Sequence, residues 1–592
     1  MIPTPKEQTF FDGKYQVPSV WRCQIPKMLS GLSDILDQYF TWNKANEADR
    51  ELTFFVNPQI MGEAYSLEVK EDGVLIEAGN YQGAVHAVAT LISLCKTKTI
   101  ELMKISDYPD LKIRGFLLDI SRDKIPTMKT LKQLVDKLML LKYNHLELYV
   151  EGFSLKLPAF PELPYDDPLT LIEFVELQEY AQVRGIDLVP NINTFGHMTK
   201  WLSLSRYQDL AESPEGFLME GYPFPPSTLN PCDPRSQELA LKIVEDVIET
   251  STSGYFNLNG DEPFELGSGK SKEACDLTSK GNVYLMHMRP LIEKVCNRGK
   301  RPLIWGDVLR NHLETIAALP IAAIVVDWGY DRDYDFNYLP AKLQGNHEFL
   351  LAPGTSSWNS FTGRFVDMKS SIDNAKRAAV KYGALGMLLT DWGDFSHPQP
   401  LVVSYPAIAY FANSAWSGVS DEAQVFAESD RLLFDRQEGY AKIIADLGKY
   451  NELEPFYLNN RTMTFASWMY VDKASDNPLA LKQAIWKAAL TKLDLGSQTE
   501  AIIRLVDDNL AKITGDDIES QEIRQAALLV KASALLNQVA SGMSSAIEKA
   551  KAIILEIRES YEKLWLRRNR SSGLKNSLKT LELLLAFLDN RT

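Results

Sequence analysis

At 592 residues the chain is too long for one ordinary core, and two to four domains are expected. Hydrophobic residues at 45% and charged residues at 24% describe a water-soluble globular chain, while a formal net charge of −15 with no Lys/Arg stripe argues against nucleic acid as a partner. Five scattered cysteines without C-x-x-C, seven histidines without metal-ligand spacing, and no apolar run of membrane-spanning or secretion-signal type predict a cytoplasmic protein without disulfide framework, metal, cofactor or membrane partner.

Residues 1–107 read as a small N-terminal α+β domain. YSLEVKEDGVLIEAG (65–79) alternates apolar and polar residues around Asp72-Gly73, a hairpin signal, and NYQGAVHAVATLISLCKT (80–97) has a helical period. Residues 108–420 then repeat a strand-helix unit. Apolar strand segments fall at 112–120, 145–151, 187–193, 255–262, 301–307, 322–329, 347–354 and 385–394. Between them, MKTLKQLVDKLMLL (128–141) sets Leu131, Leu134, Val135, Leu138 and Leu141 on one face, and RSQELALKIVEDVIET (235–250) follows the helix-starting Asp233-Pro234. Eight such units imply a closed (β/α)8 TIM barrel; the irregular stretch 301–345 leaves an open doubly wound sheet as the alternative. Residues 421–592 carry no strand pattern. SSAIEKAKAIILEIRESYEKLWL (544–566) spaces Ile547, Ile554, Ile557, Tyr561 and Leu564 helically, so a C-terminal all-helical domain is expected.

Active sites of such barrels lie at the C-terminal ends of the strands. Those ends carry Asp119, Glu151, Asn191 and Asn193 running on to His197, Asp261-Glu262, Trp305 with Asp307, Trp328, Trp358-Asn359, and Trp392 with Asp394. Carboxylates move protons and indole faces cover the C–H-rich side of a pyranose. With no glycine-rich phosphate loop and no nucleophile elbow, the chemistry points to carbohydrate. An acidic dipeptide alone means little; Asp261-Glu262 gains weight from following the apolar YFNLN and Gly260. Strand alternation gives the two carboxylates different jobs unless the strand end twists.

The ordered set RGFLLDISR (114–122), NINTFGHM (191–198), NLNGDEPFELG (257–267), WGD (305–307), DWGY (327–330), PGTSSWNS (353–360) and TDWGD (390–394) resembles glycoside hydrolase family 20, the β-N-acetylhexosaminidases, across roughly 60–420. The resemblance implies an exo-acting, retaining enzyme that releases terminal β-GlcNAc or β-GalNAc from glycans or oligosaccharides. The substrate's own acetamide is the nucleophile and forms an oxazolinium intermediate. Glu262 would be the general acid and base, held protonated near working pH, and Asp261 would stay ionised to orient the acetamide. It implies Arg114 as the grip on the 3- and 4-hydroxyls, Trp305, Trp328 and Trp392 as pocket walls, and Asp394 as acceptor for the 4- or 6-hydroxyl. Glu151 and Asp307 would be supporting partners. A structural ion pair with Glu151 or Asp119 is the plainer reading of Arg114. For His197 the favoured reading is a buried histidine that orients a carboxylate.

The sequence departs from the family pattern at Asn257 and Asn259 (usually His and Gly), at Asp123 (usually His), and at LYVEGF (148–153), where an aspartate-rich segment is usual. The tyrosine for the acetamide oxygen has no clean match: Trp358-Asn359 occupies its region and Tyr330 competes. Rival readings are an endo-chitinase-like or O-GlcNAc hydrolase-like barrel, a non-catalytic carbohydrate-binding barrel, and a metal-dependent hydrolase.

Overall fold

A computed structural model describes residues 1–45, 50–219, 222–418, 421–436, 439–469 and 496–590, so part of the expected helical region, 470–495, lies outside the described residues. The N-terminal region folds as a seven-stranded mixed sheet whose strands run between Glu7 and Asp107. Its expected hairpin is present: Tyr65–Lys70 pairs antiparallel with Gly73–Ala78 through the turn at Glu71-Asp72. Helix α1 (Tyr81–Leu94) starts where the Asn80 side chain accepts from the Gly83 amide. It is buried from Gly83 to Ser93 because it lies between this sheet and helix α2 (Met128–Leu140) of the next region.

Eight parallel strands then close into a barrel: β1 (Ile113–Asp119), β2 (His145–Val150), β3 (Asp187–Ile192), β4 (Tyr255–Asn257), β5 (Arg301–Trp305), β6 (Ile324–Trp328), β7 (Phe349–Ala352) and β8 (Gly386–Asp391). Closure comes from β8 pairing with β1, Gly386 opposite Ile113 through Asp391 opposite Leu118. This removes the doubly wound alternative. Most strand residues are buried on both faces, as near-continuous apolar runs require. Strand β4 has only three residues and ends at Asn257, so Asp261 and Glu262 sit on the loop beyond it rather than on the strand.

After the barrel the chain is mainly helical. Helices α3 (Ile518–Ala540), α4 (Ile547–Arg568) and α5 (Leu574–Asp589) pack successively on one another. The stripe Ile547, Ile554, Ile557, Tyr561 and Leu564 is buried on α4. Among the described residues no helix is long and apolar enough to cross a membrane.

Arg114 corrects a sequence expectation. It lies at the start of β1, at the barrel's N-terminal end, with 1% exposure. Its guanidinium donates to the Glu63 carboxylate, to the carbonyls of Lys142 (2.9 Å) and Leu111 (2.8 Å), and lies 4.9 Å over the Trp416 ring. It joins the N-terminal sheet to the barrel floor, so the ion-pair reading holds with Glu63 as partner in place of Glu151 or Asp119. Removing one member of a buried pair strands the other charge. Arg114→Leu should therefore lower unfolding free energy by about 3 kcal/mol in denaturant titration. The near-ultraviolet circular dichroism of the folded molecule should be unchanged, and an unaltered unfolding free energy would contradict this placement.

Candidate active site

The loop after β4 leaves the strand through left-handed residues: Asn259 (φ 56°), Gly260 (φ 83°) and Glu262 (φ 45°). Strand alternation is lost there, and both carboxylates turn to one partner. His197 Nε2 stands 3.3 Å from Asp261 Oδ2 and 3.3 Å from Glu262 Oε2. His197 Nδ1 lies 3.7 Å from Glu151 Oε2. Burial disfavours charge on this imidazole, but Asp261, then Glu262 and Glu151, outweigh it and hold His197 well above the ordinary histidine range. The backbone makes this possible: a Cβ at Gly196 would collide with the Asp261 carbonyl, so only glycine lets the β3 loop come this close.

Below the pair, Asp307 Oδ2 accepts from the Glu262 amide at 3.0 Å, while its Oδ1 is buried without a hydrogen-bond partner among the described residues. Burial, then the Asp261 charge, push the Asp307 carboxyl up to about 7. The two asparagines that depart from the family pattern form an amide ladder inside the barrel. Asn257 and Asn191 both donate to Glu147 Oε2 (2.8 and 2.6 Å), Asn259 donates to Asn191 Oδ1 (2.7 Å), and Trp305 Nε1 donates to Asn259 Oδ1 (2.6 Å).

Across the cavity the lining cation is Arg122, just past the C-terminal end of β1. It reaches Asp119 Oδ2 (2.8 Å), Glu151 Oε2 (3.1 Å) and Asp394 Oδ1 (3.5 Å), and lies over the rings of Tyr149 and Trp392. Glu151 also accepts from the Tyr149 hydroxyl at 3.1 Å. It holds Arg122 and His197 from behind and does not line the cavity. Burial raises the Asp394 carboxyl, opposed by Arg122.

Aromatic rings complete a cavity of about 90 Å³. Trp305, Trp328, Trp358 and Trp392 line it, as do Tyr149 and Tyr330. Trp392 stands edge-on to Tyr149 at 4.8 Å, and Trp328 stacks on Tyr330 at 5.3 Å. Trp392 Nε1 donates to the Tyr330 hydroxyl at 2.9 Å. The nitrogens of the Trp358-Asn359 pair are engaged by Asn460, with Trp358 Nε1 on its Oδ1 (2.9 Å) and Asn359 Nδ2 on its carbonyl (3.1 Å). Asn359 is thereby turned away from the cavity, and Asn460 lines it instead.

A model of the glycosyl hydrolase family 20 catalytic domain matches residues 112–361, and one of that family's domain 2 matches residues 1–108. The chain belongs to glycosyl hydrolase family 20. Among curated relatives, a beta-hexosaminidase of Akkermansia muciniphila is 28% identical over 245 residues, 35% of this chain and 47% of that protein. The chain spans about half the length of the curated relatives it matches. A family 20 exo beta-N-acetylglucosaminidase from Vibrio harveyi, solved with N-acetylglucosamine, shares the fold at TM-score 0.61 and 18% identity, covering 74% of this chain and 77% of its own. The chitobiase of Flavobacterium johnsoniae aligns at TM-score 0.62 and 19% identity over 99% of each chain.

Of the residues singled out from this family 20 sequence, Asp261, Glu262, His197, the four tryptophans and Asp394 converge on one cavity, while Arg114, Glu151 and Asn359 stand outside it. Reasoning from sequence passed over Arg122 and Tyr149, although strand-end position marks Arg122 and strand alternation with Glu151 marks Tyr149. Asn460 had no signal, coming from beyond the barrel.

Asp307 generates a stability prediction. Its folded carboxyl binds a proton more tightly than in the unfolded chain, so its contribution is full below the ordinary carboxylate range and is lost as pH rises through about 7. The Asp307→Asn protein should lose less melting temperature than wild type between pH 5 and pH 8. Parallel pH dependences would show that this carboxyl is not held protonated.

Proposed function

We propose that this protein is an exo-acting, retaining β-N-acetylhexosaminidase that removes terminal β-GlcNAc or β-GalNAc with the help of the substrate's acetamide. The observation that carries the reading is the pairing of Asp261 and Glu262 on a single His197 nitrogen, within a cavity walled by four indoles. Carboxylates held side by side on one loop suit a reaction in which protein supplies the proton and substrate supplies the nucleophile.

Asp261 accepts the acetamide N–H and directs the carbonyl oxygen onto C1, while its charge stabilises the cation that develops. Tethering the nucleophile to the reacting sugar removes much of the entropic barrier. Glu262 gives its proton to the departing glycosidic oxygen, then takes one from the water that opens the oxazolinium ring, so two inversions at C1 retain configuration. Tyr330 is assigned to the acetamide oxygen over Trp358, whose indole N–H is already given to Asn460. Burial holds the Tyr330 phenol well above its ordinary range, so it keeps a proton to donate. Arg122 and Asp394, side by side at 3.5 Å, present one donor and one acceptor to vicinal hydroxyls of the non-reducing end. That pairing supports cleavage at chain ends rather than within chains.

Aryl β-GlcNAc and aryl β-GalNAc should be hydrolysed with the β-anomer as first product, and the aryl β-glucoside should not. Asp261→Asn and Glu262→Gln should each lower kcat by at least about 100-fold. Comparable turnover of the glucoside would mean that the acetamide takes no part. A second comparison separates the arginines. Arg122→Met should raise KM by roughly tenfold or more, a loss of about 1.4 kcal/mol, whereas Arg114→Met should leave KM unchanged in the folded enzyme.

A further inference from the structure

The loop after β8 carries two pocket residues, Trp392 and Asp394, and then runs through three successive left-handed residues, none of them glycine: Phe395 (φ 52°), Ser396 (φ 79°) and His397 (φ 48°). Such a backbone is unfavourable for L-residues and persists only where the surroundings over-determine it. Here those surroundings come from the C-terminal helices and from Lys124 of the loop after β1, which packs on one of them. The Ser577 hydroxyl on α5 donates to the Ser396 carbonyl at 3.0 Å. The Lys124 ammonium lies 5.2 Å over the ring of Trp565 on α4 and donates to the Gln399 carbonyl at 2.7 Å. Gln399 Nε2 in turn donates to the Trp392 carbonyl at 2.9 Å.

The loop after β1, which carries Arg122, is held by the same helical tip. The Thr127 amide and Thr130 hydroxyl both donate to the Arg568 carbonyl (2.9 and 2.6 Å), and the Arg570 amide donates to the Ile125 carbonyl at 2.7 Å. Gly573 (φ 72°) packs so closely on the Asp123 carbonyl that a Cβ would collide with it, and Asn576 donates to the Asp123 carboxylate at 3.2 Å. Asp119 joins the two loops directly, accepting from Arg122 and from the Gly393 amide at 3.0 Å.

We infer that the end of α4 and the start of α5 are a positioning element of the sugar pocket, acting through Ser577 of α5 and through Lys124, which packs on Trp565 of α4: they set Trp392 and Asp394 against Arg122 and thereby fix recognition of the sugar's outer hydroxyls. The inference rests on the reading of the cavity as a hexosaminide pocket. Neither Ser577 nor Lys124 touches the cavity, so any effect on recognition must travel through the loop.

The experiment compares wild type, Ser577→Ala and Lys124→Met on aryl β-GlcNAc and on its 4-deoxy and 6-deoxy analogues, with kcat, KM and melting temperature recorded for each. The variants should raise KM for the parent sugar about tenfold with kcat changed less than threefold. The deoxy analogue that wild type discriminates against most should be affected less than twofold, so the discrimination ratio collapses. A general loss of folded enzyme would instead lower all three rates together and leave the ratios intact. Ser577→Ala removes one hydroxyl and keeps the test open should Lys124→Met fail to fold. Folded variants that keep wild-type ratios would overturn the inference while leaving the activity standing. A wild type that neither cleaves nor, by tryptophan fluorescence, binds acetamido sugars would overturn the reading of the pocket and this inference with it.

Discussion

The site depends on one partly buried imidazole set among carboxylates. His197 touches Asp261 and Glu262 through one ring nitrogen and faces Glu151 with the other, and Asp307 lies just beyond. Two like charges about 4 Å apart cost about 4 kcal/mol at the effective dielectric of a protein surface, and more further in. Without the imidazolium the group would scatter or take up protons. With it, Asp261 and Glu262 each have a ring nitrogen 3.3 Å away, and the pair is held together on one partner. What places the ring there is backbone shape: Gly196 lets the β3 loop press against the Asp261 carbonyl, and His197 itself adopts φ 56°.

The barrel was legible because its signal is repetitive. Eight apolar segments between amphipathic helices leave few alternatives, and one irregular unit does not break the count. The acidic dipeptide at the cavity was legible by position, although β4 ends four residues before Asp261 and the pair sits on a loop. The arginine was misread because RGFLLDISR holds two, one at each end of the same strand. Eight residues of extended chain separate them by roughly 25 Å, so choosing the wrong one moves the role from the mouth of the barrel to its floor. Asn460 was out of reach for another reason. It enters the pocket from a segment with no pattern linking it to the barrel, and only tertiary contacts bring it to Trp358 and Asn359.

Two of the departures from the family pattern share one physical account. Asn257 and Asn259 replace residues of different shape, and in their place an amide ladder rises from Glu147 through Asn191 to the indole of Trp305. His145 completes it below, 2.7 Å from Glu147 Oε1. Each amide offers a donor and an acceptor, and the ladder uses them in series, which fixes the side-chain orientations better than apolar packing would. The pocket wall at Trp305 is thus oriented from within the barrel, while the walls at Trp392 and Trp358 are oriented from outside it.

The pairing of β8 with β1 also has a consequence for how the molecule comes into being. Strand β1 is made early on the ribosome together with the N-terminal sheet, to which Arg114 and Glu63 fasten it. Its hydrogen-bonding edge then has no β8 to pair with until Gly386–Asp391 has emerged. An apolar strand edge that waits this long is a template for wrong partners. The nascent chain therefore passes through a long interval as an open, adhesive sheet, and shielding that edge during synthesis is a demand placed on it by its own connectivity.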